Sequence, residues 1–214
     1  MIVLGIMASL RKRGNSEILV DAALSGAAEA GAQTDRIWLA DRTMQFCDGC
    51  YTCEAKGQCH IQDDMQEIYD KCRAADGIIL GSPIYFHGLP GQVKVMIDRL
   101  HPLYTGRAFK DKAAGALLVA SASGHNTAWE QLHSFLSLNR MFYADPVFGF
   151  ARNRGDIRRD KFAMLAAGEV GRQVVALVNQ GLHYPEECVP LMRRVVKAKY
   201  GVDSSPGQNR FGVE

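Results

Sequence analysis

Short apolar runs alternate with longer helical segments along most of this chain. Such runs are typical of strands buried in a parallel sheet, and the intervening segments are typical of helices. The predicted strands are Ile2–Met7, Gln33–Leu39, Gly77–Gly81, Ala113–Ala120 and Phe142–Phe150. The predicted helices are Glu17–Ala30, Asp63–Ala75, Pro90–Leu100, a helix after His125 that runs to Leu138, and one capped by Asp160 that runs to Gln180. Asp64 and Glu67 have the spacing of a capping box.

The order of these elements predicts the fold. Strands that alternate with helices form parallel sheets with right-handed crossovers. Five such strands fit the flavodoxin-like order 2-1-3-4-5, so we predict an α/β, three-layer sandwich with a five-stranded parallel sheet. In that arrangement a ligand lies at the carboxyl ends of the strands, near the switch between strands one and three. The loops at Ser9, Ser82 and Ser121 follow strands one, three and four, and we expect them to converge there.

The segment between the first strand and the first helix is rich in small and hydroxyl residues. Backbone N–H groups at such a helix start bind anions. Ser9, Asn15 and Ser16 add neutral donors, and Arg11 adds charge-assisted ones. A plain turn with Ser or Asn as the helix cap would have the same composition, and spacing does not separate the two. The segment is not a Walker loop, because it has no Gly-Lys-Ser/Thr.

The loop Ser82–Pro90 is too apolar for its exposed position. Its Tyr85 and Phe86 fit a planar ligand, although a loop that packs aromatic rings on its own domain would look the same. His87 and His125 lie on loops of the same crevice and could donate a hydrogen bond to a ligand oxygen. A surface or packing role is favoured for both, and we assign no catalytic acid or base.

Four of the six cysteines, Cys47, Cys50, Cys53 and Cys59, lie within thirteen residues. They occupy a long connection from Ala40 to Gln62, and loops beyond about 12–15 residues are uncommon without a function. Thiolates are soft ligands for zinc, cuprous ion or iron–sulfur clusters. The C-x2-C-x2-C spacing is that of bacterial ferredoxins, and Cys59 is the local candidate for a fourth ligand. The pattern favours one [4Fe–4S] cluster.

Other interpretations of the cysteines stay open. Structural zinc usually takes its ligands from two separated pairs, and one short run is cramped for it. Disulfides need an oxidising compartment. The loop could also bind nothing, or have lost its cluster. Cys72 and Cys188 stand alone in apolar contexts, so we expect packed thiols rather than ligands there.

Composition bounds the remaining choices. The chain has 214 residues, with 47% hydrophobic and 22% charged, as in an ordinary globular protein. A net charge of +2 favours neither nucleic acid nor a membrane surface as partner. We expect no membrane span and no signal peptide, and therefore a cytoplasmic protein. We predict a domain over 1–180 with a cysteine-rich insertion at 40–62. A C-terminal extension, 181–214, contains an amphipathic segment, Glu186–Lys199, and is flexible or forms an interface.

Taken together, these motifs resemble those of the iron–sulfur flavoproteins, a branch of the flavodoxin-like NAD(P)H-dependent FMN reductases. The resemblance covers roughly residues 1–150. The residues that carry it are Ser9, Arg11, Gly14, Asn15 and Ser16, the four-cysteine run, Asp63-Asp64-Met65, Ala75-Asp76-Gly77, Ser82-Pro83-Ile84-Tyr85, Lys94 and Asp98-Arg99. The family usually has Gly-Ser-Pro-Arg where this chain has Ala8-Ser9-Leu10-Arg11.

The resemblance implies bound FMN, a [4Fe–4S] cluster on the four cysteines, and a homodimer or homotetramer with the flavin near a subunit interface. The FMN phosphate would contact Ser9, Arg11, Asn15 and Ser16. The isoalloxazine would be lined by Pro83, Ile84, Tyr85, Phe86 and Gly88. Its pyrimidine edge would face Ser121, Ser123 and Gly124.

Two function classes follow from this resemblance. The first is an enzyme, an oxidoreductase that resembles the NAD(P)H-dependent FMN reductases and takes electrons from NAD(P)H or ferredoxin. The second is an FMN-binding electron carrier whose partners are proteins. A further alternative is an FMN reductase whose cysteine loop is metal-free or holds zinc. No second G-x-G-x-x-G nucleotide motif is present, so NAD(P)H would have to stack on the flavin itself.

Overall fold

The computed structural model describes residues 1–185, 198, 199 and 201. Cys188, the Gly/Ser/Pro tail beyond Gly201 and nearly all of the segment Glu186–Lys199 lie outside the described residues. Their predicted roles are therefore not addressed by the structure.

A parallel sheet forms the centre of the protein. Its strands are β1 (Ile2–Met7), β2 (Gln33–Trp38), β3 (Gly77–Pro83), β4 (Ala113–Ala120), β5 (Phe142–Tyr143) and β6 (Val147–Phe150). The strand order is β2-β1-β3-β4-β5, and β6 also pairs with β4. Every pairing is parallel. The predicted flavodoxin-like order is confirmed.

The fifth strand differs from its prediction. A single strand over Phe142–Phe150 was expected, but β5 and β6 are separate strands that both lie beside β4. Tyr143 pairs with Ala114 and Val147 with Leu117, so this edge has one residue more than β4 over the same stretch. Pro146 lies in the gap, and it has no N–H to donate to a ladder. The strand therefore breaks there.

Helices cover both faces of the sheet. They are α1 (Asn15–Glu29), α2 (Thr52–Lys56), α3 (Met65–Ala74), α4 (Gly91–Arg99), α5 (His101–Thr105), α6 (His125–Leu138) and α7 (Lys161–Asn179). Helices α1 and α7 share one hydrophobic core. Helices α3, α4 and α6 contribute to the other core. The predicted three-layer sandwich is thus confirmed.

The predicted helix starts have different outcomes. Asp160 caps α7 as expected, since its Oδ1 accepts a hydrogen bond from the N–H of Ala163 at 3.0 Å. The capping box of Asp64 and Glu67 was wrong, because Asp64 makes no side-chain cap. Its Oδ2 instead accepts from the N–H of Thr43 at 2.7 Å. Thr43 belongs to the long loop before this helix, and the spacing of Asp64 and Glu67 alone could not reveal that its N–H lies within reach of Asp64.

Glycines allow α1 and α7 to pack with their backbones in contact. A Cβ on Gly171 would lie 1.8 Å from the carbonyl oxygen of Ala23. A Cβ on Gly26 would lie 2.0 Å from the carbonyl oxygen of Gly168. Only glycine fits at such distances, because the neighbouring atoms belong to rigid helix backbone.

We expect Gly171→Ala to lower the free energy of unfolding by about 1–3 kcal/mol, the usual loss for an overpacked core. Urea unfolding followed by circular dichroism measures it. Gly168→Ala in the same helix is the matched control, since its Cβ would meet no atom closer than 3.7 Å. Ala is a better helix former than Gly, so the control should be neutral or stabilising. Equal losses for the two variants would contradict this account of the packing.

Candidate functional site

The loop after β1 folds back on itself before α1. The N–H of Ala8 donates to the carbonyl oxygen of Gly81 at 2.9 Å, and Ser9 Oγ accepts from the N–H of Arg11 at 3.1 Å. A Cβ on Gly14 would lie 2.6 Å from the carbonyl oxygen of Arg11. The absence of a side chain at Gly14 therefore permits the tight turn that brings the loop over the start of α1.

The start of α1 offers unused backbone donors. The first N–H used within the helix is that of Ile18, which donates to Gly14 O at 3.1 Å. The N–H groups of Asn15, Ser16 and Glu17 are not used by the helix and face its open end. Of the predicted phosphate residues, Ser9 and Ser16 are buried and Arg11 is exposed. This is a feasible anion-binding arrangement.

The side chain of Asn15 makes three hydrogen bonds to a distant loop. Its Nδ2 donates to the carbonyl oxygen of Asn153 at 2.8 Å. Its Oδ1 accepts from the N–H of Gly155 at 2.9 Å and of Ile157 at 3.3 Å. The amide thereby joins the start of α1 to the Arg-rich loop before α7. The second hydrogen on Nδ2 and the backbone N–H of Asn15 remain for an anion, so its predicted phosphate contact stays a prediction.

The loop after β3 ends in a tight two-residue turn. The N–H of Tyr85 donates to Gly88 O at 3.1 Å, and the N–H of Gly88 donates to Tyr85 O at 3.0 Å. Between them, Phe86 and His87 both adopt positive φ, +48° and +64°. This conformation costs a non-glycine residue about 1–2 kcal/mol. Phe86 is fully exposed, so the strained turn presents an aromatic ring to solvent.

The loop after β4 contacts this turn directly. Ser123 Oγ lies 3.1 Å from Nε2 of His87. A Cβ on Gly124, which has φ +98°, would lie 2.7 Å from Cα of His87. The N–H of Ile84 donates to Val119 O at 2.8 Å. The predicted ring-lining segments, Pro83–Gly88 and Ser121–Gly124, are therefore adjacent at the carboxyl end of the sheet.

The two histidines of the crevice differ. His125 is buried, its Nε2 lies 3.0 Å from the carbonyl oxygen of Gly149, and its ring packs on Phe148 and Phe150. His87 is exposed at the turn. The geometry gives His125 a packing role and leaves His87 open to a ligand.

The cysteine loop is held by a buried ion pair that the sequence analysis did not identify. Arg99 of α4 is fully buried and Asp63 is nearly so. Nη1 and Nη2 of Arg99 donate to the two carboxylate oxygens of Asp63 at 2.8 and 3.1 Å. Both nitrogens also donate to backbone carbonyls, of Gln45 at 2.8 Å and of Ile61 at 3.2 Å. Because these carbonyls flank the four cysteines, the pair ties together both ends of the loop.

Asp63 is satisfied on every side. Its carboxylate also accepts from the N–H of Gln45 at 2.8 Å and of Met65 at 3.1 Å. Burial raises the pKa of the Asp63 carboxyl, but the hydrogen bonds from Arg99, Gln45 and Met65 outweigh burial and hold this pKa below its ordinary 3.8. The charged form is therefore the stable one in the folded protein. The sequence did contain a signal for this pair, because Asp63 and Arg99 are both among the residues that carry the resemblance to the iron–sulfur flavoproteins.

The described cysteines are all free thiols. Cys47 and Cys50 are exposed, and Cys53 and Cys59 are half-buried. Burial raises the pKa of the Cys53 thiol, and the thiols of Cys59, Cys50 and Cys47 raise it further. The four side chains are thus close enough to repel one another as thiolates. A cation bound among them would remove that repulsion.

The donor set of this loop is rich in sulfur. Four cysteines within thirteen residues supply the soft thiolate ligands that iron–sulfur clusters take, so the residues present fit a [4Fe–4S] cluster. Among residues 1–185, 198, 199 and 201, the ligand atoms close enough together for a single ion are those of Asp48, Cys50 and His60.

Two further side chains approach Cys53. Its Sγ lies 3.3 Å from Nδ1 of His101, and Nε2 of His101 lies 3.6 Å from Glu54 Oε1. The ring therefore lies between the two side chains, with Nδ1 toward the sulfur and Nε2 toward the carboxylate. By contrast, Cys72 is buried in the core, where burial raises its pKa to about 12. It is a packed thiol, as predicted.

Comparison with known proteins defines the class. The family model described as NADPH-dependent FMN reductase matches residues 1–154, and the chain belongs to this family of flavin-dependent oxidoreductases. An iron–sulfur flavoprotein of Methanocaldococcus jannaschii is 38% identical over 189 residues, which are 84% of this chain and 98% of the relative. This similarity places the chain in the iron–sulfur flavoprotein branch of the family.

Solved structures support the fold. RosB with a bound 8-demethyl-8-formylriboflavin-5′-phosphate intermediate has a TM-score of 0.70 and 17% identity, covering 95% of this chain and 88% of that one. A flavodoxin from the domain Archaea has a TM-score of 0.58 and 14% identity, covering 84% and 99%. At these identities the likeness concerns the fold alone. In the part of the chain that the structure describes, no helix combines the length and apolarity needed to cross a membrane.

We expect Asp63→Asn to destabilise the protein by about 3–5 kcal/mol, the loss typical of a buried charge left without its partner. Urea unfolding measures the change. Asp64→Asn is the matched control: Asp64 is exposed and bonds only to the N–H of Thr43, so its loss should be about 1 kcal/mol or less.

Acid should reproduce the effect in the unaltered protein. Because the pKa of Asp63 is lowered by folding, its contribution is complete above the ordinary 3.8 and is lost as pH falls below that value. Stability measured against pH should therefore drop less steeply in Asp63→Asn than in the parent protein. Identical acid profiles for the two proteins would refute the assignment.

Proposed function

We propose that this chain is an FMN-dependent oxidoreductase that passes electrons from a reduced donor, NAD(P)H or ferredoxin, to an acceptor through FMN and a [4Fe–4S] cluster. The observation that carries the proposal is the convergence of three loops at one sheet edge, next to a clamped loop with four free thiols. Membership of the FMN reductase family supports a bound flavin. The four thiols of the cysteine loop support a bound cluster.

The phosphate of FMN would bind at the start of α1. The backbone N–H groups of Asn15 and Ser16 face the opening there, and Arg11 is exposed and able to reach a bound anion. Ser9 Oγ, which already accepts from the N–H of Arg11, holds the turn that shapes this cradle. Gly14 leaves the space that the turn needs.

The ring of FMN would lie against the two contacting loops. Pro83, Ile84, Tyr85, Phe86 and Gly88 would line its face, and Ser121, Ser123 and Gly124 its pyrimidine edge. When bound, FMN supplies both hydride and single-electron chemistry, while the protein binds and orients it. His87, fixed by Ser123, is placed to donate a hydrogen bond to a flavin or substrate oxygen. The contact with Ser123 helps to keep the strained turn in that position.

The four motif cysteines, Cys47, Cys50, Cys53 and Cys59, would hold the cluster, which supplies single-electron transfer. Nδ1 of His101 lies beside the sulfur of Cys53, and groups that contact the sulfur ligands of a cluster tune its reduction potential. Free thiols fit a reducing compartment, so we place the protein in the cytoplasm. The exposed rings of Tyr85 and Phe86 favour a homodimer or homotetramer that covers them.

Replacement of Arg11 by Ala should weaken FMN binding by about 1.5–3 kcal/mol, the worth of a charge-assisted hydrogen bond. Titration of the flavin-free protein with FMN, followed by flavin fluorescence, measures it. Lys12→Ala is the matched control, since the neighbouring Lys12 is paired with Asp41 at 2.5 Å. Failure of the parent protein to bind FMN at micromolar concentration would overturn the proposal.

Replacement of any motif cysteine by Ser should remove most of the cluster and leave FMN binding unchanged, because the thiols and the flavin loops lie on separate segments. Iron, sulfide and flavin are counted after anaerobic purification. Cys72→Ser is the control, since Cys72 is buried in the core. Zinc at one per chain without sulfide would rule out the cluster. NAD(P)H oxidation by the loaded protein then separates the enzyme from a carrier with protein partners.

A further inference from the structure

The cysteine loop contains a second set of metal ligands that the cysteine motif does not include. Asp48 stands beside Cys47, and His60 stands beside Cys59. Although twelve positions apart, His60 Nε2 and Asp48 Oδ2 lie 2.7 Å from each other. The ligand atoms of Asp48, Cys50 and His60 all lie within 4.8 Å of one another. The fold of the loop has therefore gathered one sulfur, one nitrogen and one carboxylate oxygen.

We propose that Asp48, Cys50 and His60 bind a single divalent ion, Zn²⁺ or Fe²⁺, when the loop carries no cluster. This proposal rests on the proposed function at one point, because the proposed function also assigns Cys50 to the cluster. The single ion and the cluster therefore exclude each other.

The geometry suits one ion with little rearrangement. Metal–ligand bonds of about 2.0–2.3 Å hold tetrahedral ligand atoms roughly 3–4 Å apart. The 2.7 Å contact between His60 and Asp48 has to open slightly, and any contact of Cys50 near the 4.8 Å bound has to close. Three protein ligands and one water leave an exchangeable position, as in open zinc sites.

Hydrogen bonds hold these side chains together in the absence of an ion. The carboxylate of Asp48 accepts from the backbone N–H of Cys50 at 3.2 Å, and its Oδ2 lies 2.7 Å from Nε2 of His60. A metal ion would therefore meet three ligand atoms that are already near one another, and its binding would release protons from the ligands.

The chemistry of the set selects the ion. Imidazole and carboxylate beside one thiolate suit Zn²⁺ or Fe²⁺, whereas cuprous ion prefers several thiolates. All three residues are exposed, so the ion can enter and leave without unfolding of the loop. This exposure favours an exchangeable ion over a permanent structural one.

The test uses the full chain, freed of cluster by a chelator under reducing conditions and titrated with Co²⁺ as the spectroscopic probe. We expect one Co²⁺ per chain with a thiolate-to-cobalt charge-transfer band, displaced by Zn²⁺. Asp48→Asn and His60→Gln should each weaken Co²⁺ at least tenfold, and Cys50→Ser should abolish the band. Cys47→Ser is the matched control and should retain the parent affinity within about twofold.

The same variants separate this site from the cluster. Under anaerobic reconstitution, Cys47→Ser should lose the cluster, while Asp48→Asn and His60→Gln should reach the parent cluster content. Equal loss of Co²⁺ in all four Cys→Ser variants, with no effect of Asp48→Asn or His60→Gln, would overturn the proposal in favour of a four-thiolate site. Absence of Co²⁺ binding by the parent protein would overturn it outright. Neither result depends on whether the cluster itself forms.

Discussion

The ion pair between Arg99 and Asp63 is the constraint on which the cysteine loop depends. A guanidinium with no exposed surface is tolerated because a carboxylate and two backbone carbonyls accept from Nη1 and Nη2, although Nε is buried without a partner. Those carbonyls belong to Gln45 and Ile61, at the two ends of the loop. The loop is therefore a necessary partner of the core, since without it Arg99 would be buried and unpaired. Its ends are fixed, while the exposed thiols between them remain accessible.

The loops that would bind the flavin are positioned in a different way. The carboxyl ends of β1, β3 and β4 lie side by side in the sheet, so their loops meet without any long-range tether. Glycine at positions 14 and 124 removes the side chains that would hold these loops apart. The strained turn at Phe86 and His87 is kept in place by its contact with Ser123. Rigid strands thereby position a site whose own conformation is unfavourable.

The sequence predicted what periodicity and spacing encode. Strand order, layers, the loops at the crevice and the four-cysteine group followed from local pattern and a resemblance to a known family. The break at Pro146 was missed because the apolar residues on both sides of Asp145 and Pro146 were taken as one strand. The Arg99–Asp63 pair, the contact of His101 with Cys53, and the gathering of Asp48 and His60 depend on tertiary folding between distant positions. The bonds of Asn15 to residues 153–157 likewise leave no trace in the local sequence.

The flavin loops and the cysteine loop are held in place by different interactions, so a substitution can impair one without the other. The flavin loops depend on strand ends and on glycine, whereas the thiols depend on a buried charge pair and on a loop closed at both ends. A change of ligand at an exposed thiol removes no core contact, because Cys47 and Cys50 lie at the surface. A substitution of Asp63 retains all four cysteines but removes the interaction that holds the ends of their loop. Metal content and fold stability are thus controlled by different residues of one short segment.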